Sequence, residues 1–531
     1  MYDLIIKNVK IIDGLKNPSY IGNIAISNGK IILSPSDLEG SQQIIDGTNL
    51  CVSPGFIDVH SHGDIALGKD FTTLCKVSQG ITTDIAGQCG FTSFPVNPNT
   101  LDLLQEDLSI FTDNFDDNMK RFTSFKKYLD YSSKFDLTYN TMFLIGHCTL
   151  RTAVMGFENR KPTSKELDKM KDLVREAMEN GCIGLSSGLI YTPGVYSQTE
   201  ELIELCKVVK EYNGRYVTHM RSESDKLLEA VKEAIYIAET AGVPLGISHY
   251  KVQGKSNWGL PKQGLQLIEQ AISRGMEITI DQYPYESGMT HLYVSIPPKY
   301  ISNGIGELIN LLKDKNIREE IKSEMINPTT EFENYYICAN GFDGIFIADC
   351  PTFKDPVGMT IGDYSRKLNI DPFDAFFDIL IKNHGVCTAI YFTMGEDDIF
   401  NIIKNENTVI GTDGIVKSLD GKCHPRAYGT FPRAIDYFHK KNKLFTLEEI
   451  IFKMTGLPAN RYNIKNKGAI KNDYDADLVI FDYDKIAPGN TYQNPNLLSE
   501  GIESVIIGGE IVYHNKKHTG KTPGKILLHN K

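Results

Sequence analysis

The sequence predicts an α/β protein: a TIM-like (β/α)₈ barrel with a small β-sandwich built from both termini and an insertion between strands seven and eight. Three observations predict it. Eight short strand-like runs alternate with amphipathic helical stretches, both chain ends are β-rich, and one long gap separates the last two strands.

The first end reads LIIKNVKIIDG, NIAISNGKIIL and QIIDGTNLCV, β-branched runs punctuated by Gly and Asn, expected as short antiparallel strands. The far end repeats that grammar in ADLVIFDYDKI and ESVIIGGEIVYH. Residues 1–54 and 465–531 are therefore expected to form one sandwich domain. The barrel is expected over 55–287 and 408–464, from the runs GFIDVH, TTDIAG, TMFLIGH, CIGLSSG, RYVTHM, PLGISHY, EITIDQY and TVIGTDG.

Helices between them carry readable ends. Thr163 and Glu166 have capping-box spacing, Leu167, Met170, Val174 and Met178 share a face, and Gly181 stops the run. Ser197 with Glu200 is expected to open the next helix, which Gly214 closes. An open doubly wound sheet is the alternative, but no G-x-G-x-x-G turn supports a nucleotide crevice. Residues 288–407 are too long for a loop and are expected to form an inserted subdomain, with some barrel helix, that lids the barrel mouth.

Composition narrows the function classes. At 531 residues, 41% hydrophobic and 23% charged, the chain can bury a large core without staples. A net charge of -11 argues against nucleic acid or an anionic membrane as partner. Ten scattered cysteines without a C-x-x-C pair fit reduced thiols, and no apolar run approaches the ~20 residues that span a bilayer. With no signal-peptide pattern at MYDLIIKNVKIIDG, a cytoplasmic protein is expected. The acidic stretch 102–117 reads as a solvated helix face.

The chemistry lies at strand ends. His60 and His62, at i and i+2, point to the same side and can share one ion. An H-x-H pair alone is weak, but Cys89, His219, His249 and Asp413 each lie at or just past a strand end as well. A barrel gathers such groups at one mouth. His, Cys and Asp together favour zinc, which lowers the pKa of bound water to roughly 7. Asp413 can take that water's proton and deliver it to a leaving nitrogen, giving metal-assisted amide hydrolysis.

PGFIDVHSHGD, GQCGFTS, GLIYTPG, THMRSES, SHYK, DQYPYESG, GTDG and HPRAYGTFPR closely resemble the blocks of the D-aminoacylase (N-acyl-D-amino-acid deacylase) family, over about residues 2–525. The resemblance implies a tighter zinc on Cys89, His219 and His249, and a weaker second zinc on His60, His62, Cys89 and Asp413, with Asp413 as general acid/base. It places Lys251, Tyr283 and Arg426 at the substrate's α-carboxylate, a role that suits two cations. Hydantoinases and dihydroorotases usually carry a bridging lysine on the fourth strand. CIGLSSGLIY has none, which favours acyclic N-acyl-D-amino acids over cyclic amides. A dipeptidase or cyclic-amide hydrolase on the same barrel, and a non-catalytic scaffold on the same fold, are the alternatives.

Other residues have blander readings. Nine cysteines are expected to be structural, Asp58 to orient its strand, and His424 to shape the loop before Arg426. His291, His384 and His439 are expected in loops or on the surface, while His147 is open between packing and the pocket.

Overall fold

The structure is a computed structural model describing residues 1–41, 43–112, 115–329, 332–416 and 422–529. Both termini meet in one nine-stranded sheet. They join where Cys51–Pro54 pairs antiparallel with Leu478–Phe481. Two of its hairpins turn on residue pairs with positive φ, Asn28–Gly29 and Gly508–Gly509, as two-residue turns between twisted strands require. Leu4, Ile6, Ile24, Ile26, Leu478 and Ile480 form its interior. The expectation of purely antiparallel strands is corrected here. Leu4–Ile11 pairs in parallel with both Ile44–Asp46 and Cys51–Pro54, because the intervening hairpin provides the long return that parallel pairing needs.

The barrel strands follow chain order. Phe56–Asp58, Ile81–Ala86 and Asn140–Phe143 form one parallel ladder. The third strand resumes at Ile145–Gly146 and leads through Gly184–Gly188, Arg215–His219, Leu245–Ile247 and Ile278–Gln282 to Thr408–Ile410. The eighth strand returns to the first through a parallel bridge between Ser61 and Gly414 and the bond from Asp413 N to His60 O, 3.0 Å. Strand ends fall short of the sequence expectation. The eighth stops at Ile410, and His147 is the first residue of a helix, His147–Met155.

Helix Ser164–Glu179 has the expected capping box, and it buries Met170, Val174 and Met178 against the barrel. Ser197 does not cap the next helix. Its Oγ donates to Gly194 O at 2.7 Å, and the helix begins at Thr199 without a side-chain cap. Between strands seven and eight, Ser287–His291, Thr388–Phe392 and Ile345–Asp349 form a separate antiparallel sheet. Its own core includes Leu292, Ile321, Phe376 and Tyr391. Asp107, within the stretch expected to be solvated, is buried, while residues 113 and 114 of that stretch lie outside the described residues.

A polar knot beneath the mouth ties strands one, two and eight. Asp58 accepts bonds from Thr412 N (2.8 Å) and Thr412 Oγ1 (2.7 Å), so the aspartate does more than orient its own strand. Buried Lys76 lies 2.5 Å from Asp58 and 3.6 Å from Asp84, and it donates to Ser61 Oγ at 2.9 Å. Lys76→Met strands two buried carboxylates, so it should destabilise the chain by about 3–5 kcal/mol. Chemical denaturation measures this, and a loss below about 1 kcal/mol would mean the carboxylates are compensated by other groups.

Candidate metal centre

All six strand-end residues singled out in the sequence converge. Cys89 lies in the turn after Ile81–Ala86, His219 ends Arg215–His219, His249 sits two residues past Leu245–Ile247, and Asp413 three past Thr408–Ile410. Cys89 Sγ is 3.3 Å from both His60 Nε2 and His249 Nε2. Asp413 Oδ1 is 3.6 Å from His60 Nε2 and 3.4 Å from His62 Nε2. Three groups have donor atoms within 4.8 Å of one another: Cys89, His219 and His249; His60, His62 and Cys89; and His60, His249 and Asp413. Tetrahedral zinc with bonds of about 2.0–2.3 Å needs donors roughly 3.5 Å apart, so these separations fit.

Three ring nitrogens of the cluster make no hydrogen bond. Both ring nitrogens of His219 are buried without a hydrogen bond, as is His62 Nδ1. Cys89, His249 and Asp413 all have positive φ (55°, 34° and 47°), a conformation that side chains other than glycine adopt at a cost. Burial pushes the Cys89 thiol up, holds His219 and His249 well below the usual imidazole range, and brings His62 down to about 4. At His60 burial also lowers the value, but Asp281, Cys89 and Asp413 outweigh it and raise it well above normal. Burial likewise opposes ionisation of Asp413, yet Arg426, His60 and the His62 hydrogen bond hold its carboxyl well below the usual carboxylate range. Such a cluster favours a bound cation.

The three residues expected at a substrate carboxylate reach the same cavity. Arg426 starts the helix Arg426–Arg433, and its guanidinium is 2.9 Å from Asp413 Oδ2. Tyr283 lies under that guanidinium, 4.6 Å from ring centroid to Cζ, with a buried hydroxyl that makes no hydrogen bond. Lys251 Nζ is 2.6 Å from Glu223 Oε2 and 2.9 Å from His249 Nδ1.

A family model described as "Amidohydrolase family" matches residues 43–316 and 380–513. A D-aminoacylase of Alcaligenes xylosoxydans xylosoxydans is 32% identical over 99% of this chain and 97% of its own. The N-acyl-D-aspartate deacylase of the same organism is 29% identical over 99% of this chain and 95% of its own. The solved N-acyl-D-glutamate deacylase of Bordetella bronchiseptica, with zinc and a phosphonate mimic of the tetrahedral intermediate, superposes with a TM-score of 0.83. It is 28% identical and covers 99% of both chains. The chain belongs to the amidohydrolase family, in its D-aminoacylase branch.

Two carboxylates of this amidohydrolase were not singled out from sequence. Asp281 Oδ1 is 3.1 Å from His60 Nδ1 and accepts from His249 N at 2.8 Å. Glu223 Oε1 is 3.0 Å from His249 Nδ1. At His60 the carboxylate behind the imidazole holds the proton on Nδ1 and leaves Nε2 free to ligate, while His249 Nδ1 stands between Glu223 and Lys251. Asp281 is the penultimate residue of strand Ile278–Gln282, so its place near a strand end was a usable signal. Glu223 gave none, lying four residues past its strand. His291, expected on the surface, is buried and lines the cavity. His147 instead packs away from it, 2.8 Å from Glu201. His384 is exposed, and His439 is half-buried against Phe445 O. His424 is buried; its Nδ1 accepts from Arg426 N at 3.0 Å, which fixes the start of that helix.

Asp281→Ala should weaken divalent-metal binding by about 10–100-fold, read by zinc competition against a chromogenic chelator. Unchanged affinity would leave the aspartate a packing role only. Glu333 gives a pH prediction. This buried carboxylate accepts from Ser222 Oγ (2.9 Å), Ser224 Oγ (3.0 Å) and Glu223 N (3.2 Å). Burial, and then Glu223, push its carboxyl from 4.5 up to about 7. Between those values the folded state holds a proton that the unfolded state releases, so stability falls as pH rises through the window. Glu333→Gln should flatten that fall by up to about 1.4 kcal/mol per pH unit, measured by urea denaturation from pH 4.5 to 7. An unchanged slope would refute the assignment.

Proposed function

We propose that this amidohydrolase cleaves the amide bond of N-acyl-D-amino acids, using zinc, to give a carboxylate and a free D-amino acid. The observation that carries the reading is the meeting of Cys89, His219 and His249 donors with two buried cations, Lys251 and Arg426, in one cavity. D-Specificity and the acyclic substrate draw support from the similarity to D-aminoacylase over nearly the full chain. The absence of a lysine in Gly184–Gly188 supports the acyclic branch as well.

Cys89, His219 and His249 would hold the tighter zinc, and His60, His62, Cys89 and Asp413 a weaker second one. Zinc held there would supply Lewis acidity for ionising water near neutral pH and polarising a carbonyl. Asp413 accepts the water's proton and returns it to the leaving nitrogen. Arg426, 2.9 Å away, keeps that carboxylate ionised until the transfer. Lys251, Arg426 and the unpartnered Tyr283 hydroxyl receive the α-carboxylate and fix the amide over Asp413.

The segment 288–407 acts as the lid in this reading. Met289, Thr290, His291 and Tyr335 come from it and close one side of the cavity, which excludes bulk water. We further assign the chain to the cytoplasm, on the strength of ten scattered cysteines with no C-x-x-C pair among them. No helix among the described residues is long and apolar enough to cross a membrane.

Elemental analysis with a panel of N-acetyl-D- and N-acetyl-L-amino acids tests the proposal. We expect at least one tightly held zinc per chain and turnover of the D-series. Asp413→Asn should lower kcat by about 10²–10⁴-fold with the fold retained by circular dichroism. Turnover confined to L-substrates would remove the stereochemical claim, and full activity without metal would remove the zinc.

A further inference from the structure

The inserted subdomain holds a pair of buried cysteines that the metal centre does not use. Cys350 follows strand Ile345–Asp349, and Cys387 precedes strand Thr388–Phe392. The two strands are antiparallel with Asp349 opposite Thr388, so the next step of the register sets Cys350 against Cys387. Their sulfurs are in contact at 2.9 Å, although the sequence separation is 37. Both cysteines belong to the buried core that includes Leu292, Phe376 and Tyr391. Neither is among the described residues that line the metal cavity.

Hydrogen bonds hold the backbone on both sides of the pair. Asn383 follows helix Pro372–Lys382, and its Oδ1 accepts from Thr352 N (3.1 Å) and Phe353 N (2.7 Å). Its Nδ2 donates to Ile379 O at 2.9 Å, which ties the segment after Cys350 to the helix that leads to Cys387. On the other side Leu292 N donates to Cys387 O at 2.9 Å. Two thiols fixed in contact react with one another at an effective concentration far above that of a dissolved thiol. A bond between them therefore outcompetes a mixed disulfide with a small thiol. Solvent is close: Pro351 and Thr352 are exposed, so a local opening of 350–353 admits a small co-reactant.

We propose that Cys350 and Cys387 form a modification site, a dithiol that a small-molecule disulfide of the oxidised-glutathione class converts to a bond across the inserted sheet. The thiolate of one cysteine attacks the co-reactant, which forms a mixed disulfide and releases one small thiol. The thiolate of the other then attacks the protein sulfur, closes the Cys350–Cys387 bond and releases the second small thiol. The protein loses two electrons and two protons, and the co-reactant gains both as two thiols. In a reducing compartment the pair stays as thiols, and the bond forms when small-molecule disulfide accumulates. Closing it encloses helices Ile361–Leu368 and Pro372–Lys382 in one loop and restrains the unfolded subdomain. The site stands whichever amide the metal centre cleaves.

The test incubates the folded, zinc-loaded full chain with oxidised glutathione, blocks the remaining thiols with N-ethylmaleimide and maps the peptides by mass spectrometry. We expect one crosslink, between the peptides that carry Cys350 and Cys387, with the loss of two hydrogens from the chain and reversal by dithiothreitol. The crosslinked chain should melt about 3 °C above the reduced one. Cys387→Ser should abolish both the crosslink and the shift in melting; if that variant fails to fold, the wild-type peptide map decides the question. A lasting glutathione adduct on either cysteine, a bond to a different cysteine, or no reaction of the folded chain overturns the site. A crosslink that leaves the melting temperature unchanged overturns its stapling of the subdomain.

Discussion

The sulfur of Cys89 stands 3.3 Å from two imidazole nitrogens that belong to opposite sides of the barrel. Lone pairs brought that close repel unless a proton or a cation is shared among them. The rest of the mouth answers this constraint. Asp281 stands behind His60 and directs its Nε2 inward, and Glu223 and Lys251 flank His249 Nδ1. Cys89, His249 and Asp413 accept left-handed backbone conformations of order 1–3 kcal/mol each. The barrel's ladders and the knot of Asp58, Lys76 and Thr412 hold the strand ends against that strain.

Charge is distributed with the same economy. In a chain with a net charge of -11, three buried cations at or beneath the mouth, Lys76, Lys251 and Arg426, are each matched to a carboxylate. Pairing keeps Lys76, Lys251 and Arg426 charged where burial alone would favour loss of the proton or exclusion of the group.

The barrel strands were legible because strands buried on both faces read as short apolar runs between helices with recognisable caps, as at Thr163 and Glu166. Ser197 had similar spacing, but its hydroxyl found a nearer acceptor in Gly194 O, a competition that local sequence does not reveal. The parallel pairing of Leu4–Ile11 was hidden for a related reason: the direction of a neighbouring strand depends on the path of the chain between them.

Residue type and strand-end position were enough to single out His60, His62, Cys89, His219, His249 and Asp413, since a closed barrel brings such ends to one mouth whatever the intervening sequence. Which groups stand behind those residues is different. Glu223 reaches His249 from a neighbouring strand's loop, Asp107 and His291 come together from segments 184 residues apart, and the cavity wall draws Phe91, Tyr191 and Tyr335 from separate stretches. A single sequence fixes local periodicity and residue chemistry. Only packing decides which buried polar group meets which partner, because that pairing is set by distances between segments that share no local pattern.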